Sequence, residues 1–456
     1  MKEAISNSYL FFKNRINHGH HRTVKAKKNI LTAFVFKGLS IAIGLVLVPL
    51  TINYVNPTQY GIWLTLSSII AWFGFFDIGF GHGLRNKLTE AIANKKYKLS
   101  RIYISTTYAV LSLIIGVFLL FFILINPFLN WSAILNADTS MAAELGILAL
   151  IVFTFFCLQF VLQLIVTVLT ADQQPGFGSV FNFLANAISL TVIFILTKTT
   201  SGNLLYLGLA LGLSPVLVLA AFSIWLYSHS YRQFAPSLKM VRFSMVGNIL
   251  NLGVKFFMLQ IAGLLLYEST NIIIAQLFGP SKVTTYNIAF KYFSIIPMVF
   301  ITIMLPFWSA FTKAWMEKDV IWIKTTIKKL QLLWLGLAVT AFLMLIVSKY
   351  VYEVWVGKEN IVPFSVSAPI AAYVIVNSWN TIYSQFLNGV GKVKLQLIYG
   401  VGGAILNIPL AIFLGYQFGI AGVILSSVML TSVNMVCGYI QYQKIVNNTA
   451  TGIWAR

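Results

Sequence analysis

Charge is what this chain has least of. Only 9% of its 456 residues are Asp, Glu, Lys or Arg, against roughly 25% in a soluble globular protein. Acids are scarcer still, 11 against 32 Lys and Arg. The two cysteines, Cys157 and Cys437, fall far apart inside apolar runs. That excludes a disulfide scaffold and suits packing roles. The chain has no His-Glu-x-x-His, no Cys pair at metal spacing and no Gly-x-Ser-x-Gly, so the common zinc and serine-nucleophile chemistries have no motif to stand on. No catalytic residue, metal or cofactor is expected. Gly79-Phe80-Gly81-His82-Gly83 follows an apolar helix rather than a strand, with no Lys-Ser/Thr after it, which argues against a phosphate loop. No secretory signal is expected, since residues 1–29 carry seven Lys and Arg where a signal would be apolar.

What the chain has is apolar sequence. Apolar residues make up 58% of it, and the mean hydropathy is +0.83. A helical membrane span takes ~20 apolar residues, so nearly the whole chain must lie in a bilayer. Twelve apolar segments can be marked, at 30–52, 60–80, 102–126, 145–169, 178–197, 204–227, 248–278, 283–311, 330–350, 367–387, 395–417 and 420–441. Runs such as 111–124 are unbroken, unlike the alternating strands of a closed barrel. The expected fold class is an all-α polytopic membrane protein.

The basic residues set its orientation. With the N-terminus inside, 25 Lys and Arg fall on inner segments, four on outer segments and three within spans. Cytoplasmic loops collect Lys and Arg, so the net charge of +21 needs no nucleic acid, and both termini are expected in the cytoplasm. The outer loops, near 127–144 and 350–366, are too short for a catalytic domain. The chain also looks duplicated: Asn56-Pro57-Thr58-Gln59-Tyr60 resembles Gly279-Pro280-Ser281-Lys282-Val283 at an offset of 223, near half the length. The expected architecture is twelve transmembrane helices in two six-helix bundles, residues 30–227 and 248–441. A cytoplasmic linker, 228–247, joins them, and cytoplasmic tails, 1–29 and 442–456, flank them. Six helices per half is an even number, so the bundles should be related by a pseudo-two-fold axis along the membrane normal, with a transport site between them.

Charges at bilayer depth are costly and usually face a cavity or a partner. Lys37, Asp77, Lys255, Glu268 and Lys291 lie within or at the edge of spans. Glu268 and Lys291 are equidistant from the Gly279-Pro280 turn, and Lys37 and Asp77 from Pro57. Each half thus offers a Lys–acid pair, either lining a polar cavity or simply neutralising each other. Lys255 has no such partner. It suits an anionic ligand or snorkels to the interface. Gln260 and Asn271 share a helical face and either line the same cavity or hydrogen-bond a neighbouring helix. Pro297, Pro306 and Pro409, with Gly402-Gly403, interrupt spans as hinges or packing accommodations.

Several of these stretches resemble one family. Asn56–Gly61 and Phe76-Asp77-Ile78-Gly79-Phe80-Gly81-His82-Gly83-Leu84-Arg85-Asn86 are similar to the first hairpin of bacterial O-antigen and capsular polysaccharide flippases, the polysaccharide transporters of the MOP superfamily. Leu252-Gly253-Val254-Lys255-Phe256-Phe257, Thr270-Asn271-Ile272 and Tyr286-Asn287-Ile288-Ala289-Phe290-Lys291 resemble the seventh and eighth spans, and Leu387-Asn388-Gly389 and Asn407-Ile408-Pro409 the tenth and eleventh. The resemblance implies alternating access, and a cargo of oligosaccharide repeat units on undecaprenyl pyrophosphate, moved from the cytoplasmic to the periplasmic leaflet of the inner membrane. It matches Asp77, Arg85, Lys255, Glu268 and Lys291 to family motifs. Candidate partners are that glycolipid, membrane lipid and other polysaccharide assembly proteins; H⁺ and Na⁺ are candidate coupling ions. An ion-coupled multidrug exporter of the same superfamily is the alternative. A membrane polysaccharide polymerase is further away, because no Arg lies on the outer side.

Overall fold

The computed structural model describes residues 21–77, 80–172, 174, 176–248, 269–304 and 307–455. Its elements are helical throughout. The first half holds α1 (His21–Val55), α2 (Pro57–Ala71), α3 (Phe80–Ala93), α4 (Tyr97–Ile125), α5 (Trp131–Leu135), α6 (Ala142–Leu162), α7 (Leu164–Ala171), α8 (Gly176–Thr199) and α9 (Leu204–Ser228). The second half holds α10 (Ser269–Phe278), α11 (Pro280–Met304), α12 (Phe307–Met316), α13 (Val320–Val356), α14 (Phe364–Val390), α15 (Lys394–Phe418) and α16 (Ile420–Val446).

Among the described residues, nine helical stretches are long and apolar enough to cross a bilayer, so the chain is an all-helical polytopic membrane protein. α13 shows why. Leu332, Leu335, Val339, Phe342 and Ile346 recur at helical spacing and stay exposed, Leu332 to 71% and Phe342 to 60%. Such a stripe is untenable in water and ordinary against lipid chains. Both cysteines are unbridged, Cys157 buried and Cys437 half-buried.

Two basic segments expected as connections contain helices instead. In α3, Leu84, Leu88 and Ala91 are buried at i, i+4, i+7, and in α12 Phe311 and Ala314 are buried. Each helix lays one apolar face on its bundle and leaves its charges outside. These helices also repeat the 223-residue offset, which pairs Leu88 with Phe311 and Ala91 with Ala314. The backbone repeats it too. Lys95 and Lys318 are left-handed (φ 56° and 57°) just before α4 and α13, and Asn56 and Gly279 have φ 92° and 88° just before α2 and α11.

The Asn56 and Gly279 turns meet in space. Both helices open on proline, whose missing N–H costs nothing at the first helical position. Asn56 caps α2, its Oδ1 accepting from Gln59 N at 2.9 Å. The approach of the two turns is reciprocal. A Cβ on Gly61 would stand only 1.7 Å from the carbonyl oxygen of Pro280, and Thr284 Oγ1 donates to the carbonyl oxygen of Pro57 at 2.6 Å. Positions 61 and 284, and 57 and 280, are each 223 apart. Residue i of one half therefore meets residue j of the other while j meets i, the signature of a two-fold contact.

The segment after α9 is fastened to the first half. Arg101 Nε donates to Ala235 O at 2.8 Å, Ser237 N to Ser105 Oγ at 3.0 Å, and Arg242 N to Thr106 Oγ1 at 3.0 Å. Tyr231 OH donates to Asp172 Oδ2 at 2.6 Å, and Gln174 Nε2 donates to that same oxygen at 2.9 Å. Burial, and then the Asp172 carboxylate, raise the Tyr231 phenol well above its ordinary value, so it remains a donor at any physiological pH. Residues 229–245 thus belong mechanically to the first half.

The Gly61 contact yields a direct expectation. Gly61→Ala should drive a methyl into the Pro280 carbonyl and destabilise this contact by about 1–3 kcal/mol, the cost of overpacking. Gly74→Ala, with nothing within 4 Å of the new Cβ, is the control. In a variant freed of Cys157 and Cys437, a cysteine at the buried Ser68 should label at least several-fold faster with a membrane-impermeant thiol reagent in Gly61→Ala than in Gly74→Ala.

Candidate functional site

Four of the eight residues singled out in the sequence have described side chains: Lys37, Arg85, Asn271 and Lys291. Lys255, Gln260 and Glu268 lie outside the described residues, as do Pro306 and the motif from Leu252 to Phe257. Asp77 is described in its backbone alone, as the last residue of a 3-10 turn, Trp72–Asp77. The Glu268–Lys291 and Lys37–Asp77 pairings therefore fall outside the description.

The structure brings Asn271 and Lys291 together against α2, across the meeting of the two halves. Lys291 Nζ donates to Tyr60 OH at 3.3 Å. Asn271 Nδ2 donates to Ser68 Oγ at 2.8 Å, and its Oδ1 accepts from Asn287 Nδ2 at 2.8 Å. Tyr60, Ser68 and Asn287 are buried. Asn271 thus makes a helix–helix hydrogen bond, one of the two roles its position left open. Sequence reasoning had not assigned Tyr60, Ser68 or Asn287. The available signal was a polar group inside an apolar run, where few such groups go unpaired. Ser68 lies 223 residues before Lys291, so a hydroxyl and a cation hold equivalent places in the two halves.

Further hydrogen bonds join the halves nearby. Asn136 Nδ2 donates to Ala275 O at 2.9 Å, Gln276 Nε2 to Ala133 O at 3.1 Å, and Trp355 Nε1 to Leu45 O at 2.8 Å. By helical rise these contacts lie within roughly 18 Å of the Pro57 and Pro280 turns. One end of the molecule is therefore closed by direct contact between its halves.

Arg85 lies elsewhere, in the first half. It lines a cavity of about 380 Å³ with Gly81, Gln163, Thr167, Thr170 and Phe160. A smaller recess of about 80 Å³ shares Gln163 and adds Gln159 and Asn182. The two ion pairs among the described residues are Lys87–Glu90 and Lys313–Glu317, both at the surface. Arg85, Lys37 and Lys291 thus have no carboxylate partner there. A guanidinium offers a planar fork for a phosphate or carboxylate, and the neighbouring amides and hydroxyls offer donors and acceptors for sugar hydroxyls. Among the described residues no cluster of three His, Cys, Asp or Glu could hold a metal ion.

Known proteins are similar to this chain in sequence or in fold. Residues 26–308 match the family described as polysaccharide biosynthesis protein, and residues 256–413 match MatE. A Yersinia pseudotuberculosis protein named for O-antigen export is 18% identical over 400 residues, covering 85% of this chain and 88% of its own length. A Salmonella typhi protein named as an O-antigen transporter is 18% identical over 429 residues, covering 91% and 96%. An inward-facing multidrug resistance MATE transporter of the MOP superfamily superposes with a TM-score of 0.76 at 11% identity, covering 92% of this chain and 100% of that one. An outward-facing MATE structure gives 0.63 at 14% identity, covering 94% and 97%.

The polar contact at α2 can be measured as a coupling. Asn271→Ala and Asn287→Ala should each destabilise the folded protein. The double variant should lose less than their sum, by about 0.6–1.7 kcal/mol, the range of interhelical hydrogen bonds in membranes. Thermal unfolding in lipid nanodiscs reads this directly, and strict additivity would show that the two side chains do not interact.

Proposed function

Since the chain belongs to the polysaccharide biosynthesis protein family of MOP-superfamily transporters, we propose that it flips undecaprenyl-pyrophosphate-linked oligosaccharide repeat units from the cytoplasmic to the periplasmic leaflet of the bacterial inner membrane. The family match over residues 26–308 carries this proposal. Two relatives named for O-antigen export or transport, aligned over most of the chain, point the same way. So does Arg85, which has no acidic partner among the described residues, in a cavity edged with amides, hydroxyls and an aromatic ring, because a diphosphate-linked sugar presents an anion beside hydroxyls.

The proposed architecture is two six-helix bundles. Nine spans are long and apolar enough on their own. The other three are α2 with its 3-10 extension, the seventh span of which α10 is the described end, and α14. The reciprocal contact at Gly61 and Thr284 supports a two-fold axis along the membrane normal. The Lys and Arg distribution supports cytoplasmic termini, which puts the turns at Pro57 and Pro280 on the periplasmic face. The closed contact there supports an inward-open state, and alternating access then requires that contact to part. H⁺ or Na⁺ is the candidate coupling ion.

A multidrug exporter remains the second reading, favoured by the MATE fold itself. Cationic drugs need carboxylates in the transport path, whereas Lys37, Arg85 and Lys291 are cations with no described acidic partner.

Proteoliposomes separate the two. With lipid-linked oligosaccharide loaded on one leaflet, the wild-type protein should translocate it. Arg85→Ala should slow translocation roughly tenfold, on the scale of one charged hydrogen bond, and Arg85→Lys should retain part of the rate. Transport of a cationic dye without movement of the glycolipid would overturn the flippase assignment.

A further inference from the structure

The two-fold contact at the closed end has two corners, and they differ. At the first, Asn136 donates to Ala275 O at 2.9 Å and to Gln276 O at 3.3 Å, while Gln276 Nε2 donates back to Ala133 O and Ile134 O. Adding or subtracting 223 gives the residues of the second corner: Glu359 in the place of Asn136, Ile52 in that of Ala275, and Asn53 in that of Gln276. Glu359 is acceptor-only and cannot donate to the Ile52 carbonyl as Asn136 does to Ala275. The second corner is accordingly open, a pocket of about 480 Å³ lined by Ile52, Asn53, Asn56, Gln59, Glu359 and Asn360. Small-molecule sites run from roughly 300 to 1,000 Å³.

We propose that this corner is a binding site for a neutral sugar residue, built from both halves and present only while this end is closed. Asn53 and Gln59 have no side-chain hydrogen-bond partner among the described residues, and their amides each offer a donor and an acceptor. Asn56 has its Oδ1 occupied by Gln59 N and keeps its amide donors. One oxygen of the exposed Glu359 carboxylate accepts from Asn360 Nδ2 at 3.2 Å, which leaves the other to accept a sugar hydroxyl. No Lys or Arg lines the pocket, which disfavours an anion. One carboxylate falls short of the charge that a divalent cation usually collects. Complementary amides and a lone carboxylate over a fixed floor suit a polyhydroxyl ring.

The source of the sugar rests on the export function proposed above: glycan already delivered to the periplasmic face reaches this pocket once the end has closed again. Because the pocket joins both halves, a sugar bound there stabilises the closed end and shifts the population toward it.

The test uses the full chain in nanodiscs and saturation-transfer NMR with methyl glycosides of neutral hexoses and N-acetylhexosamines. Saturable transfer to ring protons is expected from wild-type protein. Glu359→Asn restores the donor found at the sealed corner and should close the pocket. It should weaken binding about tenfold, the scale of one charged hydrogen bond, without lowering thermal stability. Asn53→Ala should weaken binding as well. Unchanged transfer in both variants overturns the site, as does a signal that appears only with Ca²⁺ and vanishes with EDTA. Glycolipid export by the same preparations is measured in parallel. Export without sugar binding overturns the pocket alone, and binding without export overturns the export function alone.

Discussion

The structure turns on one close approach, the backbone of Gly61 against the carbonyl of Pro280. Any side chain at position 61 would overlap that carbonyl, so glycine is what lets α2 and α11 meet at all. The reciprocal bond from Thr284 to Pro57 shows the cost handled differently at the equivalent place. There a hydroxyl fills the gap and donates to the Pro57 carbonyl oxygen. The same surface carries side-chain bonds from Asn271, Lys291, Asn136, Gln276 and Trp355, and a buried apolar cluster drawn from both halves, Ile52, Ile62 and Leu66 with Ile274, Val283 and Ile288.

Part of the polar chemistry in the spans lies on the same meeting surface. Ser68, Asn271 and Asn287 satisfy one another across three helices, and Lys291 reaches Tyr60. In a lipid environment such groups have few other partners, which specifies how the halves register without adding bulk. The linker after α9 is strapped to α4 through Ser105 and Thr106. Arg85 stands apart from this surface, in a cavity whose described lining comes from the first half.

Much of this was legible in the sequence. The apolar fraction predicts the spans because lipid leaves no other place for so many exposed leucines, as α13 shows. The offset of 223 was visible in Asn56-Pro57 and Gly279-Pro280 because a turn opening on proline leaves a strong local mark. It became firm only where φ at Lys95 and Lys318 repeats it. Helix α3 was hidden by its charge: it buries only one apolar face, and a census of lysines reads such a segment as a connection. Helix α12 was divided between the expected span 283–311, whose helix ends at Met304, and the basic segment that follows. Tyr60 and Ser68 were hidden for another reason: their partners lie 231 and 203 residues away, and no local period announces a contact at that range. The open corner at Glu359 required both the repeat and the coordinates, since it appears only as a departure from the sealed corner at Asn136.

The central claim is that the two halves rock, parting and remaking the Gly61–Pro280 contact, to carry a glycolipid across the membrane. Double electron–electron resonance tests it most directly. One spin-label pair goes on the turns, at Thr58 and Lys282, and one on the basic end, at Lys98 and Lys318, all exposed positions. Lipid-linked oligosaccharide added to protein in nanodiscs should lengthen the first distance while it shortens the second, because the cargo must favour one state over the other to move their populations. If both distances stay fixed, or both change in the same direction, the rocking account is contradicted.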